Sequence, residues 1–107
     1  MDDRELLELA AKAAGIGPIL RIEDESVAVI GPAKMMRHWS PLTDDGDALR
    51  LAVQCQIMVF PPKEGFAAAC TDMDEVDEWE EVLVGDDPCA ATRRAIVRAA
   101  ANIGRAI

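Results

Sequence analysis

The segment from Asp87 to Ile107 constrains the fold more than any other part of the chain. Asp87-Pro88 combines the residue types of a helix N-cap and a first-turn proline. At 100° per residue, one face of the helix that follows contains Cys89, Thr92, Ile96, Ala99, Ala100, Ile103 and Ile107. Arg94, Arg98 and Arg105 lie nearly opposite that face. The pattern predicts a long amphipathic helix that packs an alanine-rich surface on a flatter layer.

Residues 2–14 predict a second helix. Its leucines and alanines fall within an arc of about 160°, and the charged residues take the other side. Asp2 or Asp3 can serve as the N-cap, and Gly15 can end the helix. We expect this helix to pack on the core.

Three aspartates in four residues, Asp44, Asp45 and Asp47, open the stretch DDGDALRLAV. Apolar residues then recur with helical spacing over 48–55. Carboxylates in a first helical turn accept unpaired backbone N–H groups and meet the positive end of the helix dipole. An EF-hand calcium loop needs alternating acids and a glutamate at its twelfth position, and this stretch has neither. We therefore expect these acids to begin a helix, capped by Thr43 or Asp44, rather than to bind a metal.

Short β-branched and apolar runs separate the three helices. The stretch ILRIEDESVAVIG predicts a hairpin, and residues 33–41 read as a connection in which Trp39 is buried. QCQIMVF passes from helix into a strand, FAAACT is a second strand, and residues 82–84 add an edge strand. The order is α-β-β-α-β-β-(β)-α. We expect one α+β domain over 1–107, with a mostly antiparallel sheet of four to five strands packed with three helices.

The distribution of charge limits the classes of partner. Twenty acids against eleven bases give a net charge of −9, which argues against direct binding of nucleic acid. Residues 72–81 contain seven acids, whereas 88–107 contain four arginines and no acid. Such a basic helix can dock within the molecule, bind an acidic partner, or form a solvated face.

Residues of the kind that form catalytic or metal sites are few. His38 is the only histidine, and no nucleophile, phosphate-loop or zinc-protease motif occurs. Cys55, Cys70 and Cys89 lack the short spacing of zinc ligands, and each lies in an apolar run where a buried, reduced thiol is ordinary. We expect no enzyme activity, no cofactor and no metal.

Three segments carry a resemblance to a known group of proteins: RELLELAAKAAGI, WSPLTDDGDA and ATRRAIVRA. They resemble small phage- and prophage-encoded proteins of unknown function, and the element order is similar to the phage ABA sandwich domain. The resemblance covers about half the chain; the acidic stretch 72–81 and residues 19–33 lie outside it. It implies a phage setting and an antiparallel sheet flanked by helices, and it transfers no catalytic residue.

The functional expectation is a non-catalytic protein–protein interaction factor of phage or prophage origin. Its partner is a host or phage protein, met in the cytoplasm of a bacterial host, with no membrane contact; a homodimer is left open. The candidate partner-binding residues are Asp74, Glu75, Asp77, Glu78, Glu81, Arg94, Arg98 and Arg105. One alternative is an acidic mimic that blocks a nucleic-acid-binding protein of the host, and a weaker one is a small metal-dependent enzyme.

Overall fold

The computed structural model describes residues 2–24, 26–62, 64–71 and 79–107. Within these ranges the elements are α1 (Asp3–Ala14), β1 (Ile19–Glu23), β2 (Val27–Ile30), β3 (Arg37–Trp39), α2 (Asp45–Cys55), β4 (Met58–Phe60), β5 (Phe66–Cys70), β6 (Glu80–Leu83) and α3 (Pro88–Ala106). A three-residue 3-10 helix, Ala33–Met35, precedes β3. The α+β class and the three helices are confirmed.

The described strands form two antiparallel sheets rather than one. The first sheet has the order β1-β2-β3 and the second has the order β4-β5-β6. The prediction of a single sheet of four to five strands is therefore wrong. It missed β3, since Arg37 and His38 interrupt any apolar alternation in a strand of only three residues. Pairing with β2, where Val29 lies opposite His38, supplies the extended conformation instead.

The same succession of elements occurs twice, as α1-β1-β2-β3 and α2-β4-β5-β6, before α3 closes the fold. Both leading helices end in the same way. Gly15 and Gln56 adopt the left-handed conformation, with φ of 68° and 55°. The isoleucine that follows each of them donates its N–H to an alanine carbonyl of the last turn, at 2.9 Å from Ile16 and 2.8 Å from Ile57. The predicted helix end at Gly15 is confirmed.

Helix α3 lies at the centre of the molecule. It packs against α1, α2, β5 and β6, and most of its buried residues are small. Its buried residues are Ala91, Ala95, Ile96, Val97, Ala99, Ala100, Ala101 and Gly104. The predicted single apolar face is thus wrong in part: Cys89 and Ile107 are exposed, while Val97 and Ala101, outside that face, are buried. A helix surrounded by other elements buries more than one side, and alanine allows this without added bulk.

Trp39 connects the first sheet to this core. It lies in β3 opposite Ala28, and only 2% of its surface is exposed. Both residues belong to the same apolar cluster as Leu7 of α1 and Leu51 of α2. The predicted burial of Trp39 is confirmed, although its backbone is a strand rather than a loop.

Candidate functional site

The outer face of the second sheet is apolar. Side chains of successive strand residues point to opposite sides of a sheet, and Val59, Ala67, Ala69 and Val82 all belong to or pack against the core cluster. The alternate positions therefore face away from α3. This outer face consists of Met58, Phe60, Phe66, Ala68, Cys70, Trp79, Glu81 and Leu83. Glu81 is its only charged residue among those described.

An aromatic pair lies over the middle of this face. The rings of Phe60 and Trp79 stack with their centroids 5.0 Å apart and an angle of 12° between their planes. Phe60 pairs with Ala68 on the neighbouring strand, and Ala68 and Cys70 are buried although they point away from the core. The indole Nε1–H of Trp79 is buried and has no hydrogen-bond acceptor among the described residues.

One end of the outer face is open to solvent. Phe66 and Leu83 are cross-strand neighbours, with 44% and 82% of their surfaces exposed. Large apolar side chains that are adjacent and exposed form a patch, whereas single ones are ordinary on protein surfaces. The second sheet thus presents a half-buried aromatic pair and an exposed apolar pair on the same side.

The first sheet has a different outer face. Val29 is buried there beneath charged neighbours. Arg21 Nε donates to Glu23 Oε1 at 3.1 Å, and His38 Nε2 lies 3.4 Å from Glu23 Oε2. The hydrogen bond from Arg21, assisted by His38, holds the pKa of the Glu23 carboxyl below its ordinary value. Within the described residues, His38 is therefore part of a polar surface cluster with Arg21 and Glu23.

The three aspartates of the DDGD motif organise the start of α2. The Asp44 side chain is the N-cap and accepts the backbone N–H of Asp47 at 2.8 Å. Asp47 in turn accepts the backbone N–H of Ser40 at 2.9 Å and a hydrogen bond from Arg50 at 2.7 Å. Asp45 binds an arginine of α3. Each carboxylate has a structural partner, and the predicted role of this motif as a helix start is confirmed, with Asp44 as its cap.

The arginine that binds Asp45 is Arg93, a residue absent from the predicted site. Its side chain is 14% exposed. Arg93 Nε donates to the carbonyl of Leu42 at 2.9 Å, and Nη1 donates to Asp45 Oδ1 at 2.6 Å. Arg93 therefore joins α3 to the start of α2. Its position three residues before Ile96, beside the apolar side of the helix, is the sequence signal that could have identified it.

Arg94 does not lie on an unoccupied basic surface. Its two terminal nitrogens donate to the two carboxylate oxygens of Asp3, at 2.8 and 3.2 Å, and so join α3 to α1. These hydrogen bonds hold the pKa of the Asp3 carboxyl below its ordinary value, burial offsets part of the effect, and Arg98 adds to it. The sequence left three roles open for the basic last helix: docking within the molecule, binding an acidic partner, or forming a solvated face. Arg93 and Arg94 dock within the molecule.

The remaining candidate residues are distributed between described and undescribed parts of the chain. Glu81 and Arg105 are exposed, and Arg98 is half-buried. Asp74, Glu75, Asp77 and Glu78 lie outside the described residues. Glu81 lies on the outer face of the second sheet, whereas Arg98 and Arg105 belong to α3, so the structure does not bring these three into one site.

The cysteines occupy three different environments. Cys70 is buried, Cys55 is half-buried, and Cys89 is exposed at the start of α3. The expectation that every thiol is buried is therefore wrong for Cys89. Burial raises the pKa of the Cys55 thiol. Within the described part of the chain, histidine, cysteine and acidic residues do not gather into a group of three or more that could hold a metal ion.

Comparison of the chain with protein-family models, curated proteins and solved structures gives no match. The described helices include none with both the length and the apolar character needed to cross a lipid bilayer.

Proposed function

We propose that this protein works by binding another protein, through the outer face of the second sheet. The observation that carries the proposal is the exposed pair Phe66 and Leu83 beside the Phe60–Trp79 stack. Protein interfaces typically have an aromatic or apolar centre surrounded by polar residues. Among the described residues of the first sheet, the outer face has no such centre, since polar and charged side chains surround Val29 there.

The charge around this face supports a basic partner. Glu81 lies on the face itself, and residues 72–78, which separate β5 from Trp79 in the sequence, contain five further acids. The proposed partner is a phage or host protein with an apolar contact surrounded by lysine and arginine. Opposite charges at the rim accelerate association and exclude like-charged competitors. The resemblance to phage and prophage proteins favours the bacterial cytoplasm as the site of this encounter.

The alternative is that the acids imitate a nucleic-acid backbone and occupy the binding groove of a host protein. Seven acids in the ten residues 72–81 favour it. The two proposals differ in their response to salt. Binding dominated by rows of carboxylates should collapse between low and moderate ionic strength, whereas an apolar contact should change little.

The test begins with affinity capture from a bacterial host and purification of the protein that is retained. Its affinity is then measured by calorimetry for the native chain and for two variants. Phe66→Lys with Leu83→Lys should abolish binding, because both substitutions put charge into the apolar contact. Reversal of Glu75, Asp77, Glu78 and Glu81 to lysine should weaken it and slow association.

The matched control is Leu20→Lys on β1, because Leu20 is 41% exposed, close to the value for Phe66. This variant places one new lysine on the other sheet and should bind normally. Unchanged affinity of the Phe66→Lys, Leu83→Lys variant would refute the proposed surface. Loss of binding in the charge-reversed variant alone, with a steep dependence on salt, would favour the mimic.

A further inference from the structure

Strand β6 forms one edge of the second sheet. Within the described parts of the chain it pairs with β5 alone. Just beyond the strand, the backbone N–H of Val84 donates to the carbonyl of Gly65 at 2.9 Å. Hydrogen-bonded residues alternate along an antiparallel pair, so Val82 and Val84 direct their N–H and C=O groups toward β5. The corresponding groups of Glu81 and Leu83 point away from β5, where another strand can reach them.

The other described edges are less suited to accept a strand. β4 has only three residues, and Pro61 and Pro62, which have no N–H to donate, follow it at once. The register of β1 shifts between Ile19 and Arg21, and β3 again has three residues. By contrast, the pairing of β6 is regular over its four residues. Short strands, prolines and bulges protect the edges of sheets, so β6 is the edge that such devices leave open.

A groove of about 430 Å³ lies between β6 and the first turns of α3. Val82 and Leu83 line it from the strand, and Ala90 and Ala91 line it from the helix. Val82 belongs to the inner face of the sheet and packs against the core. A residue opposite Val82 on an added strand would therefore point toward α3. The two alanines leave room there for a branched apolar side chain.

Acidic side chains lie along the same edge. Glu81 and Asp86 are exposed, and Glu80 is half-buried. Arg94 also lines the groove, but its guanidinium binds Asp3. Two copies of β6 placed edge to edge would gather the glutamates of both strands on chains that each carry a net charge of −9. Like charges oppose such pairing, whereas lysine or arginine on the added strand would favour it. The charge therefore favours a basic segment over a second copy.

We propose that the partner of the outer face supplies an extended segment that pairs antiparallel with β6 and lengthens the second sheet by one strand. The inference rests on the proposed function, because Leu83 belongs both to the outer face and to this edge. The segment has an apolar residue opposite Leu83 and a residue the size of valine opposite Val82. Basic residues lie opposite Glu81 and Glu80. Backbone hydrogen bonds hold the segment, and its alternating side chains provide specificity.

Amide hydrogen exchange of the native chain, followed by NMR, measures the state of this edge. Relative to their intrinsic rates, the amides of Glu81 and Leu83 should exchange faster than those of Val82 and Val84, because only the latter donate to β5. Equal protection of all four would mean that the edge is already covered, and the inference would then be wrong. Protection of Glu81 and Leu83 that grows with protein concentration would assign the edge to a second copy instead.

The probe for strand addition is the capped hexapeptide Thr-Ile-Val-Lys-Lys-Thr. Paired antiparallel with β6, it places isoleucine opposite Leu83 and its first lysine opposite Glu81. We expect a Kd of about 1 mM or tighter, with slower exchange at the amides of these two residues. The matched control is the same peptide with N-methyl groups on the isoleucine and the first lysine, which keeps every side chain and charge but cannot pair. Equal binding of both peptides, or unchanged exchange at millimolar peptide, would overturn the inference.

The captured partner separates this inference from the proposed function. Cys70 allows residues 1–69 to be ligated to a synthetic peptide of residues 70–107, so that a single N-methyl group can be placed on Leu83. The methyl group removes one outward N–H and keeps the leucine side chain and the pairing with β5. It should weaken partner binding at least about tenfold relative to the unmodified ligated chain, with the same circular dichroism.

The two possible failures have different signatures. Unchanged binding of the N-methylated chain, together with loss of binding in the Phe66→Lys, Leu83→Lys variant, would refute strand addition and leave the outer face as the binding surface. Normal binding of the Phe66→Lys, Leu83→Lys variant would refute the proposed function itself, whatever the peptide does.

Discussion

Gly104 of α3 lies directly against the backbone of Leu9 in α1: a Cβ atom at residue 104 would come within 1.9 Å of the Leu9 carbonyl oxygen. The same atom would lie 2.7 Å from the Leu9 carbonyl carbon. No side chain can occupy this position, so the two helices approach more closely than even alanine would allow. The contact determines how α1 and α3, the first and last helices of the chain, pack together.

Gly104→Ala should therefore lower the free energy of unfolding by about 3 kcal/mol or more, at the upper end of overpacking costs, since backbone atoms cannot move aside as a flexible side chain does. Chemical denaturation measures this value. Gly85→Ala is the matched control, because a Cβ there would meet nothing within 4 Å. Equal stability of the two variants would contradict the close contact between α1 and α3.

The Asp3–Arg94 pair should make stability depend on pH in acid. The pKa of Asp3 is lowered in the folded protein, so its contribution is present above the unfolded value, near 3.8, and is lost as the pH falls through the lower folded value. Asp3→Asn should cost about 1 kcal/mol at pH 7, and the gap to the native chain should close below pH 3.8.

Denaturation curves at a series of pH values test this dependence. In a background of Arg94→Ala, the effect of Asp3→Asn should shrink at neutral pH, because only the helix dipole and the more distant Arg98 then stabilise the Asp3 carboxylate. An effect of Asp3→Asn that is the same with and without Arg94 would show that the pair contributes nothing.

Removal of the N-cap of α2 should destabilise the protein. Asp44→Ala should lower the free energy of unfolding by about 1 kcal/mol, because the backbone N–H of Asp47 loses its acceptor. Asp44→Asn keeps an acceptor oxygen and should stay close to the native chain. Millimolar calcium should leave the melting temperature unchanged, and a clear rise would mean that the aspartates bind the ion.

Two substitutions of the same kind should distinguish a core residue of α3 from a surface residue of α2. Ile96→Asp should unfold the domain or cost several kcal/mol, because Ile96 is buried and a carboxylate there has no partner. Leu49→Asp should leave the domain folded, because the Leu49 side chain is exposed. Circular dichroism and thermal melting give the comparison, and an Ile96→Asp variant that melts like the native chain would show that Ile96 is not a core residue.

The helices were predictable because their signals are local. The Asp87-Pro88 start, the Gly15 end of α1 and the acidic first turn of α2 each depend on residues within about one turn of the helix end. The structure places these boundaries where the sequence indicated them. Residue identity alone decides such features because backbone N–H groups at a helix start need nearby acceptors.

The strands were less predictable because pairing is not local. The β1–β2 hairpin is visible in the sequence, but β3 depends on its contact with β2 rather than on its own residues. The number of sheets depends on whether strands on either side of α2 pair with each other. Alternation along a strand shows which residues share a face, not which strand lies beside it.

The surface residues also divide into features that the sequence indicated and features that depend on distant parts of the chain. The sequence indicated an acidic chain with a basic last helix, but it could not show that Arg94 binds Asp3, 91 residues away. Nor could it separate exposed Leu49 and Val53 from buried Leu51 within one apolar run, because which side of a helix is covered depends on the elements packed around it. By itself the sequence determined the helices, their first residues to within about one position and the overall charge, all of which arise from neighbouring residues. Only the tertiary structure decided the two sheets, the arginine partners and the exposed apolar surfaces, because these require segments far apart in the chain to meet.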